Sequence, residues 1–260
     1  MLARMKFGCR TVGFPSEPPV LPEKFLGRPE IGPEPCVQDC DQCVRACPTA
    51  AIEVIDHHPV LDLGRCLLCG ECATTCPSGS VRFTSDPSMA ANRRSDLVVS
   101  LQSERARIER LNAESLRLFK RSLRLRQVSA GGCNGCEVEV NVLGTIVYDL
   151  GRFGIQFVAS PRHADGLLIT GPVTENMKLA LQKTYEAVPD PKIVVAVGAC
   201  AISGGPYIDH RQVHNGAEST VPVDLFIPGC PPHPITILDG LLNLLGRMPS
   251  GAATQHLREW

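Results

Sequence analysis

The sequence predicts a two-part fold, a small cysteine-rich α+β domain joined by a helical linker to an α/β domain with a doubly wound parallel sheet. Three observations predict it. Eight of the thirteen cysteines fall in two tandem quartets within the first third of the chain. A basic stretch free of glycine and proline follows. Beyond Leu123 strand-like and helix-like segments alternate, the pattern of a parallel sheet covered by helices.

A chain of 260 residues is long enough for about two domains, and 43% hydrophobic content suits packed cores rather than disorder. A formal net charge of -1 argues against a nucleic-acid binder. Between Asn92 and Arg126, however, ten Lys or Arg stand against four Asp or Glu, so this stretch is locally basic. The opening "MLARMKFGCRTVGFP" lacks the apolar core of a secretory signal, and no run approaches the roughly 18–20 apolar residues of a membrane span. Cytoplasmic residence is expected. The Arg93–Arg94 pair has no apolar segment after it and reads as surface charge. In a long chain without an export signal, cysteines in such spacings read as thiolate ligands rather than disulfides.

Taken in order, residues 1–30 form a Pro-rich arm. The segment "FPSEPPVLPEKFLGRPEIGPEP" carries seven prolines in 22 residues; it cannot be helical and reads as extended chain available to lie against a partner. Residues 31–90 hold an internal repeat, "CVQDCDQCVRACPTAAIEV" and "CLLCGECATTCPSGSVRF", in which Cys40, Cys43 and Cys47 map onto Cys69, Cys72 and Cys76 at a constant offset of 29. Each run ends in Cys-Pro and then a short β-type stretch, "AIEVI" or "SVRF". The C-x2-C-x2-C spacing winds a tight loop that presents three sulfurs to one metal cluster. Zinc knuckles are the alternative, since C-x2-C also suits tetrahedral zinc; two complete runs favour clusters. His57 and His58 fall in the connector between the quartets and read as solvated, and Cys9 has no partner in the pattern.

This region resembles the bacterial two-cluster ferredoxins, which implies a ferredoxin-like α+β fold. In that pattern the fourth cysteine of each run ligates the other cluster. The resemblance therefore implies one 4Fe-4S cluster on Cys36, Cys40, Cys43 and Cys76, and a second on Cys66, Cys69, Cys72 and Cys47. Three residues rather than two separate Cys36 from Cys40, a departure that falls on the first of these sites.

Residues 91–123 form the basic linker. Over 96–122 the apolar residues Leu101, Ile108, Leu111 and Leu118 suggest one helix with Arg and Lys outward. It reads either as a solvated connector or as a basic face toward anionic lipid or an acidic subunit.

Residues 124–260 form the second domain. "RLRQVSA", "IQFVAS", "GLLIT", "KIVVAVG" and "VDLFIPG" read as strands, and "ENMKLALQKTYEAV" and "ITILDGLLNLL" as helices, giving an α/β doubly wound, flavodoxin-like parallel sheet. Ligand sites in such sheets lie outside the carboxyl ends of the strands. Cys133 and Cys136 follow the first strand, Cys200 follows "KIVVAVGA" and Cys230 follows "DLFIPG", so all four converge on one edge. Glycines around them let the backbone approach a bulky group.

"GGCNGCE", "SPRHADGLLITGPVT", "VGACAISGG" and "VPVDLFIPGCPP", in that order, resemble the small subunit of membrane-associated nickel-iron hydrogenases related to respiratory complex I, including formate hydrogenlyase. The resemblance covers residues 124–247. It implies that Cys133, Cys136, Cys200 and Cys230 bind the 4Fe-4S cluster nearest the active site of a large partner subunit. The first domain and "LPEKFLGRPEI" likewise resemble the ferredoxin-type subunit of those complexes, so the chain looks like a fusion of the two. Complex I relatives usually carry adjacent cysteines where Asn134 and Gly135 intervene here, a spacing that favours the hydrogenase branch. The resemblance puts a proton-relay carboxylate at Glu137; a helix-start acid stabilised by the macrodipole is the simpler account. His163 reads as a packing or subunit-contact residue.

The function implied is electron relay through three 4Fe-4S clusters to a large catalytic hydrogenase or complex I-like subunit. Further membrane subunits would hold the chain peripherally at the cytoplasmic face of the inner membrane, with no nucleic-acid partner. Two other functions stay open: quinone reduction beside the C-terminal cluster in a complex I-type assembly, and a free-standing ferredoxin-like carrier or redox sensor.

Overall fold

The computed structural model describes residues 6, 8–103, 108–111, 113–119 and 121–248. In the N-terminal part, two antiparallel units frame two short helices. Strand β1 (Pro29–Ile31) pairs with β4 (Val81–Phe83), and β2 (Ile52–Ile55) with β3 (His58–Asp62). Helices α1 (Gln42–Ala46) and α2 (Glu71–Thr74) each carry the third cysteine of a quartet, Cys43 and Cys72, on a buried position. The connector between the quartets is therefore ordered. Asp56 and His57 take positive φ to turn the chain, and β3 continues through Pro59, with Ile52 opposite Leu61 in register. His58 accordingly stands in a strand, with its ring between the carbonyls of Asp56 and Pro33.

The linker departs from the single helix expected over 96–122. Val98–Val99 form strand β5 on the edge of β3, residues 108–111 have no regular structure, and helix α3 covers Ala113–Phe119; residues 104–107, 112 and 120 lie outside the described residues. The reason is packing. Leu97 and Val99 are buried, Val99 as a β-branched partner on a pleated edge, while Ile108 and Leu111 pack on the C-terminal core and Leu111 donates to the Leu244 carbonyl at 3.1 Å. The Arg-Arg pair also divides. Arg93 is exposed beside Glu109, but Arg94 is a half-buried fork on Asp62, donating at 2.7 and 2.6 Å.

The C-terminal part is a five-stranded parallel sheet, β6 (Leu123–Ser129), β7 (Ile155–Phe157), β8 (Gly166–Thr170), β9 (Ile193–Val197) and β10 (Leu225–Ile227), in spatial order β10-β9-β8-β6-β7. The chain steps from β6 outward to β7 and returns on the other side at β8. This order reverses direction between β6 and β8, the switch point where such sheets leave a crevice. Helices α4 (Gly135–Val142) and α7 (Pro234–Leu244) cover one face, where Val140 and Leu238 share a core with Leu125, Leu168, Val195 and Ile227. On the other face Leu167, Ile169, Val194 and Phe226 share a core with Leu181 of α5 (Glu175–Ala187) and Ile202 of α6 (Ala199–Ser203).

That same core takes in Leu61, Leu63, Leu97 and Met89 of the N-terminal part. The two parts are also bonded directly: Ala91 and Phe226 exchange backbone hydrogen bonds at 3.0 and 2.8 Å, and the Ser203 hydroxyl donates to the Gly64 carbonyl at 2.8 Å. The Pro-rich arm, which the sequence offers to a partner, lies along its own chain. Val12 donates to Val147, Phe14 is buried in the C-terminal core, Phe25 meets His233 edge-on, and Gly27 donates to Thr84.

Candidate metal centres

The C-terminal centre is assembled by three strand ends. Beyond β6 the chain turns through Gly131 and Gly132, passes the exposed Cys133, and enters α4 with Cys136. Beyond β9, Gly198 leads into α6 with the buried Cys200, and beyond β10 the chain reaches Cys230. Backbone bonds join these loops: Ala130 donates to Thr170, Gly198 to Ile227 and Ala199 to Gly229, all at 2.7–2.8 Å. Two glycines are required here. A Cβ on Gly171 would lie 2.5 Å from the Gly132 nitrogen, and a Cβ on Gly198 would lie 2.4 Å from the Cys136 sulfur. Both have positive φ, +82° and +92°, a region side chains rarely enter.

The four thiols share one electrostatic neighbourhood. Burial first, then Cys200, Glu137, Cys230 and Cys133, push the Cys136 thiol up. Burial followed by Cys230, Cys133 and Glu137 raises Cys200 to about 12, and burial followed by Cys133 raises Cys230. Thiolates so arranged repel one another, and a bound cationic group relieves that repulsion.

In the N-terminal part the thiols fall into two groups. Cys36 is raised by burial, then by Cys40 and Cys76; Cys43 is raised by burial, Cys36, Cys76 and Cys40 against an opposing N–H from Val44. Cys66 reaches about 12 through burial, opposed by the Leu68 N–H and reinforced by Cys72, Cys47 and Cys69. Cys72 reaches about 11 through burial, Cys47 and Cys69, with Cys43 as its weakest neighbour. Cys47 thus stands among the second run, and Cys76 among the first. An apolar pocket lined by Cys47, Cys66, Cys69 and Cys72 with Ile52, Leu61 and Phe83 opens between the second set.

The donor set suits a cluster. Ala51 and Leu68 N–H groups point at the sulfurs of Cys47 and Cys66 at 3.2 and 3.3 Å. At Cys76 burial is outweighed by the Ser78 hydroxyl and by the N–H groups of Val81, Ser80 and Ser78, so that its thiol is lowered. Such donors stabilise anionic sulfur. Among the described residues no three His, Cys, Asp or Glu close up enough to hold a single ion, whereas tetrahedral zinc would draw its sulfurs to about 3.8 Å of one another.

Residues 133–244 match the family model of the NADH ubiquinone oxidoreductase 20 Kd subunit, and residues 35–80 match a 4Fe-4S dicluster domain. A probable membrane-bound hydrogenase subunit of Pyrococcus furiosus is 42% identical over 146 residues, 56% of this chain and 87% of that protein. The chain belongs to the 20 Kd subunit family. Formate hydrogenlyase subunit 7 of Escherichia coli is 45% identical over 139 residues, 54% of each chain, so the match spans about half of that relative. An NADH-quinone oxidoreductase subunit of Clostridium beijerinckii is 46% identical over 110 residues, 42% of this chain and 65% of that protein. The chain is an iron-sulfur subunit of the hydrogenase and complex I-like oxidoreductases, with 4Fe-4S clusters as its cofactors.

Glu137 of this 20 Kd-type domain is buried in the first turn of α4. Its Oε1 accepts from the Ser129 hydroxyl at 2.6 Å and the Thr170 hydroxyl at 2.7 Å. Burial would raise its carboxyl, but these two bonds, together with its own backbone N–H, outweigh it and the net shift is downward. Ser129 and Thr170 were not legible as site residues: each reads as a strand end, and only the parallel pairing of β6 with β8 puts them opposite each other. His163 is exposed on the turn before β8, and Cys9 is exposed.

Proposed function

We propose that the chain is the electron-relay subunit of a membrane-associated nickel-iron hydrogenase of the formate hydrogenlyase type. It would carry three 4Fe-4S clusters on Cys36, Cys40, Cys43 and Cys76, on Cys66, Cys69, Cys72 and Cys47, and on Cys133, Cys136, Cys200 and Cys230. The observation that carries the reading is the sorting of twelve thiols into three mutually repelling groups of four. The clusters supply reversible one-electron chemistry. The chain's part is to hold them in a fixed order. The Ser203 hydroxyl on the Cys200 helix grips the carbonyl two residues before Cys66, and Cys72 lies within electrostatic reach of Cys43. The second group would therefore stand between the first group and the C-terminal centre.

The domains are a ferredoxin-like unit over 31–90, a basic connector over 91–123 and the hydrogenase small-subunit unit over 124–260, preceded by the arm over 1–30. A large catalytic subunit would cover the edge where Cys133 is exposed; Val138, in the first turn of the helix that follows, is 50% exposed. Among the described residues no helix is long and apolar enough to cross a membrane, so attachment at the cytoplasmic face would run through partner subunits. Glu137 is assigned a proton-relay position beside the C-terminal centre. The relationship to a quinone oxidoreductase subunit supports a second reading, quinone reduction at that centre. Nickel assay of the co-purified large subunit separates the two: nickel supports the hydrogenase, and its absence with quinone-dependent turnover refutes it. Anaerobically purified chain should hold about twelve iron and twelve sulfide, four per quartet; zinc without sulfide would end the cluster reading.

A further inference from the structure

At the opposite pole of the sheet from the cysteines lies an open pocket of about 660 Å³, lined by Arg121, Gly151, Arg152, Phe153, Gly154 and Arg247. All five strands are parallel, so every carboxyl end faces the cysteine centre and the amino ends face away. Arg121 precedes β6, the Gly151–Gly154 loop precedes β7, and Arg247 follows α7. The pocket is thus separated from the C-terminal centre by the length of β6, about 20 Å for seven residues, and takes no part in it.

Its charges are unbalanced. Several arginines elsewhere face acids: Arg45 with Asp41, Arg82 with Glu34, Arg93 with Glu109, Arg94 with Asp62. Among the described residues none of Arg121, Arg152 or Arg247 forms an ion pair, although Asp149 stands on the same loop as Arg152. Two of the three are held in place by backbone. Arg152 donates through one terminal nitrogen to the carbonyls of Val12 and Phe14 at 2.8 and 2.7 Å, and its guanidinium carbon lies 4.6 Å from the centre of the Phe153 ring. Arg247 donates through one nitrogen to the Phe153 carbonyl, and burial lowers its pKa. Each keeps further N–H donors for a ligand. Fixed planar forks of like charge around one hollow repel each other until an anion neutralises them, and their geometry matches phosphate oxygens. The volume lies within the roughly 300–1,000 Å³ of small-molecule sites, which leaves room for more than a bare anion.

We infer that this pocket binds a phosphoryl group, presented either as free phosphate or as the phosphate monoester of a lipid headgroup. The Pro-rich arm helps to build the site, because its carbonyls orient Arg152. The inference is independent of the cluster assignment.

The test uses the full-length, cluster-loaded chain under anaerobic conditions. Inorganic phosphate is titrated against chloride at equal ionic strength, which removes general screening. Vesicles of phosphatidylcholine with and without phosphatidic acid are tested by co-flotation. Phosphate at ten times its dissociation constant should raise the melting temperature by about 2–3 °C over chloride. Arg121→Gln, which removes an exposed side chain with no ion pair among the described residues, should weaken binding by about tenfold. Arg247→Lys keeps the charge but loses the fork and should also weaken it, with iron content and circular dichroism confirming the fold. Response to phosphate alone identifies a free anion; response to phosphatidic acid vesicles alone identifies the lipid ester. No response to either probe, or equal binding by wild type and Arg121→Gln, overturns the inference.

Discussion

Gly198→Ala is the sharpest perturbation of the C-terminal centre. Gly198 has φ +92° and ψ 154°, a combination essentially restricted to glycine, and forcing a side chain into it costs about 1–3 kcal/mol. The added methyl would lie 2.4 Å from the Cys136 sulfur and 3.5 Å from the Gly229 carbonyl oxygen, so Cys136 must move; overpacking of this kind adds about 1–3 kcal/mol. The total of about 2–6 kcal/mol corresponds to a fall in melting temperature of roughly 4–11 °C for a chain of this length unfolding as one unit. Because the moving atom is one of the four proposed ligands, the variant should also lose about four of twelve irons. Gly154→Ala is the control. Its Cβ would meet the Arg121 carbonyl oxygen at 2.2 Å, again at positive φ, but at the far end of the sheet. It should be destabilised with its iron intact. Iron and sulfide assay, thermal denaturation and electron paramagnetic resonance of the reduced protein give the comparison. A Gly198→Ala protein with full iron and an unaltered resonance pattern would refute the placement of Cys136 at a cluster.

Cys230→Ala should leave about eight irons and reducible N-terminal clusters while abolishing turnover with the large subunit, since no other cysteine stands on that strand end; loss of all iron from folded protein would contradict it. Arg94→Lys keeps the charge opposite Asp62 but loses the paired geometry, so about 1–2 kcal/mol should go, seen as a lower denaturation midpoint with unchanged iron. Glu137→Ala removes the acceptor of the Ser129 and Thr170 hydroxyls, leaving the exposed Ser129 to water and Thr170 only the long bond to the Val128 carbonyl, and should cost about 1–3 kcal/mol; Glu137→Gln should restore most of the stability and, if the relay assignment holds, slow proton-coupled turnover alone. His233 caps α7 by accepting from the Ile235 N–H, and burial lowers its pKa below 6.5. Below pH 6.5 the unfolded chain takes up the proton first, so stability is full above that pH and falls as the pH drops through the folded value. His233→Asn, which can still cap, should flatten the slope just below pH 6.5 in urea denaturation, and an unchanged slope would assign it elsewhere.

The sheet was legible because its signal is local. Runs such as "GLLIT" and "KIVVAVG" are buried along their whole length in β8 and β9, and continuous apolar runs are what a two-sided sheet demands. The loop of each N-terminal cysteine run is local in the same way, since the C-x2-C spacing winds it, whereas gathering Cys133, Cys136, Cys200 and Cys230 takes three strand ends. What escaped depends on distant pairing. Val98 and Val99 look helical among Leu, Arg and Glu, and only the edge of β3 makes them a strand. Asp62 and Arg94 are 32 residues apart, and neither shows in its own segment that it will bind the other. The arm read as partner-seeking because seven prolines exclude a helix without saying what the extended chain will touch; Phe14, buried under the loop before β7, supplies that answer.

The shared core alters how the relay must be understood. If the cluster units were beads on a linker, the spacing between the second cysteine group and the C-terminal centre would vary with linker motion. Instead Phe226, at the centre of β10, exchanges two backbone bonds with Ala91 and is buried in the same core as Leu61 and Leu63. A relay passes electrons at a rate set by distance and orientation, so rigid packing at this joint serves the function as directly as the ligands do. The joint also explains why the Cys66 loop carries so many anchors. Asp62 receives the Arg94 fork and the Gly64 N–H, Cys66 donates to the Asp62 carbonyl, and Gly64 receives the Ser203 hydroxyl from the Cys200 helix. These bonds fix the loop that leads into Cys66. Substitution at Ser203 should therefore loosen the interval between two centres while leaving all twelve thiols in place.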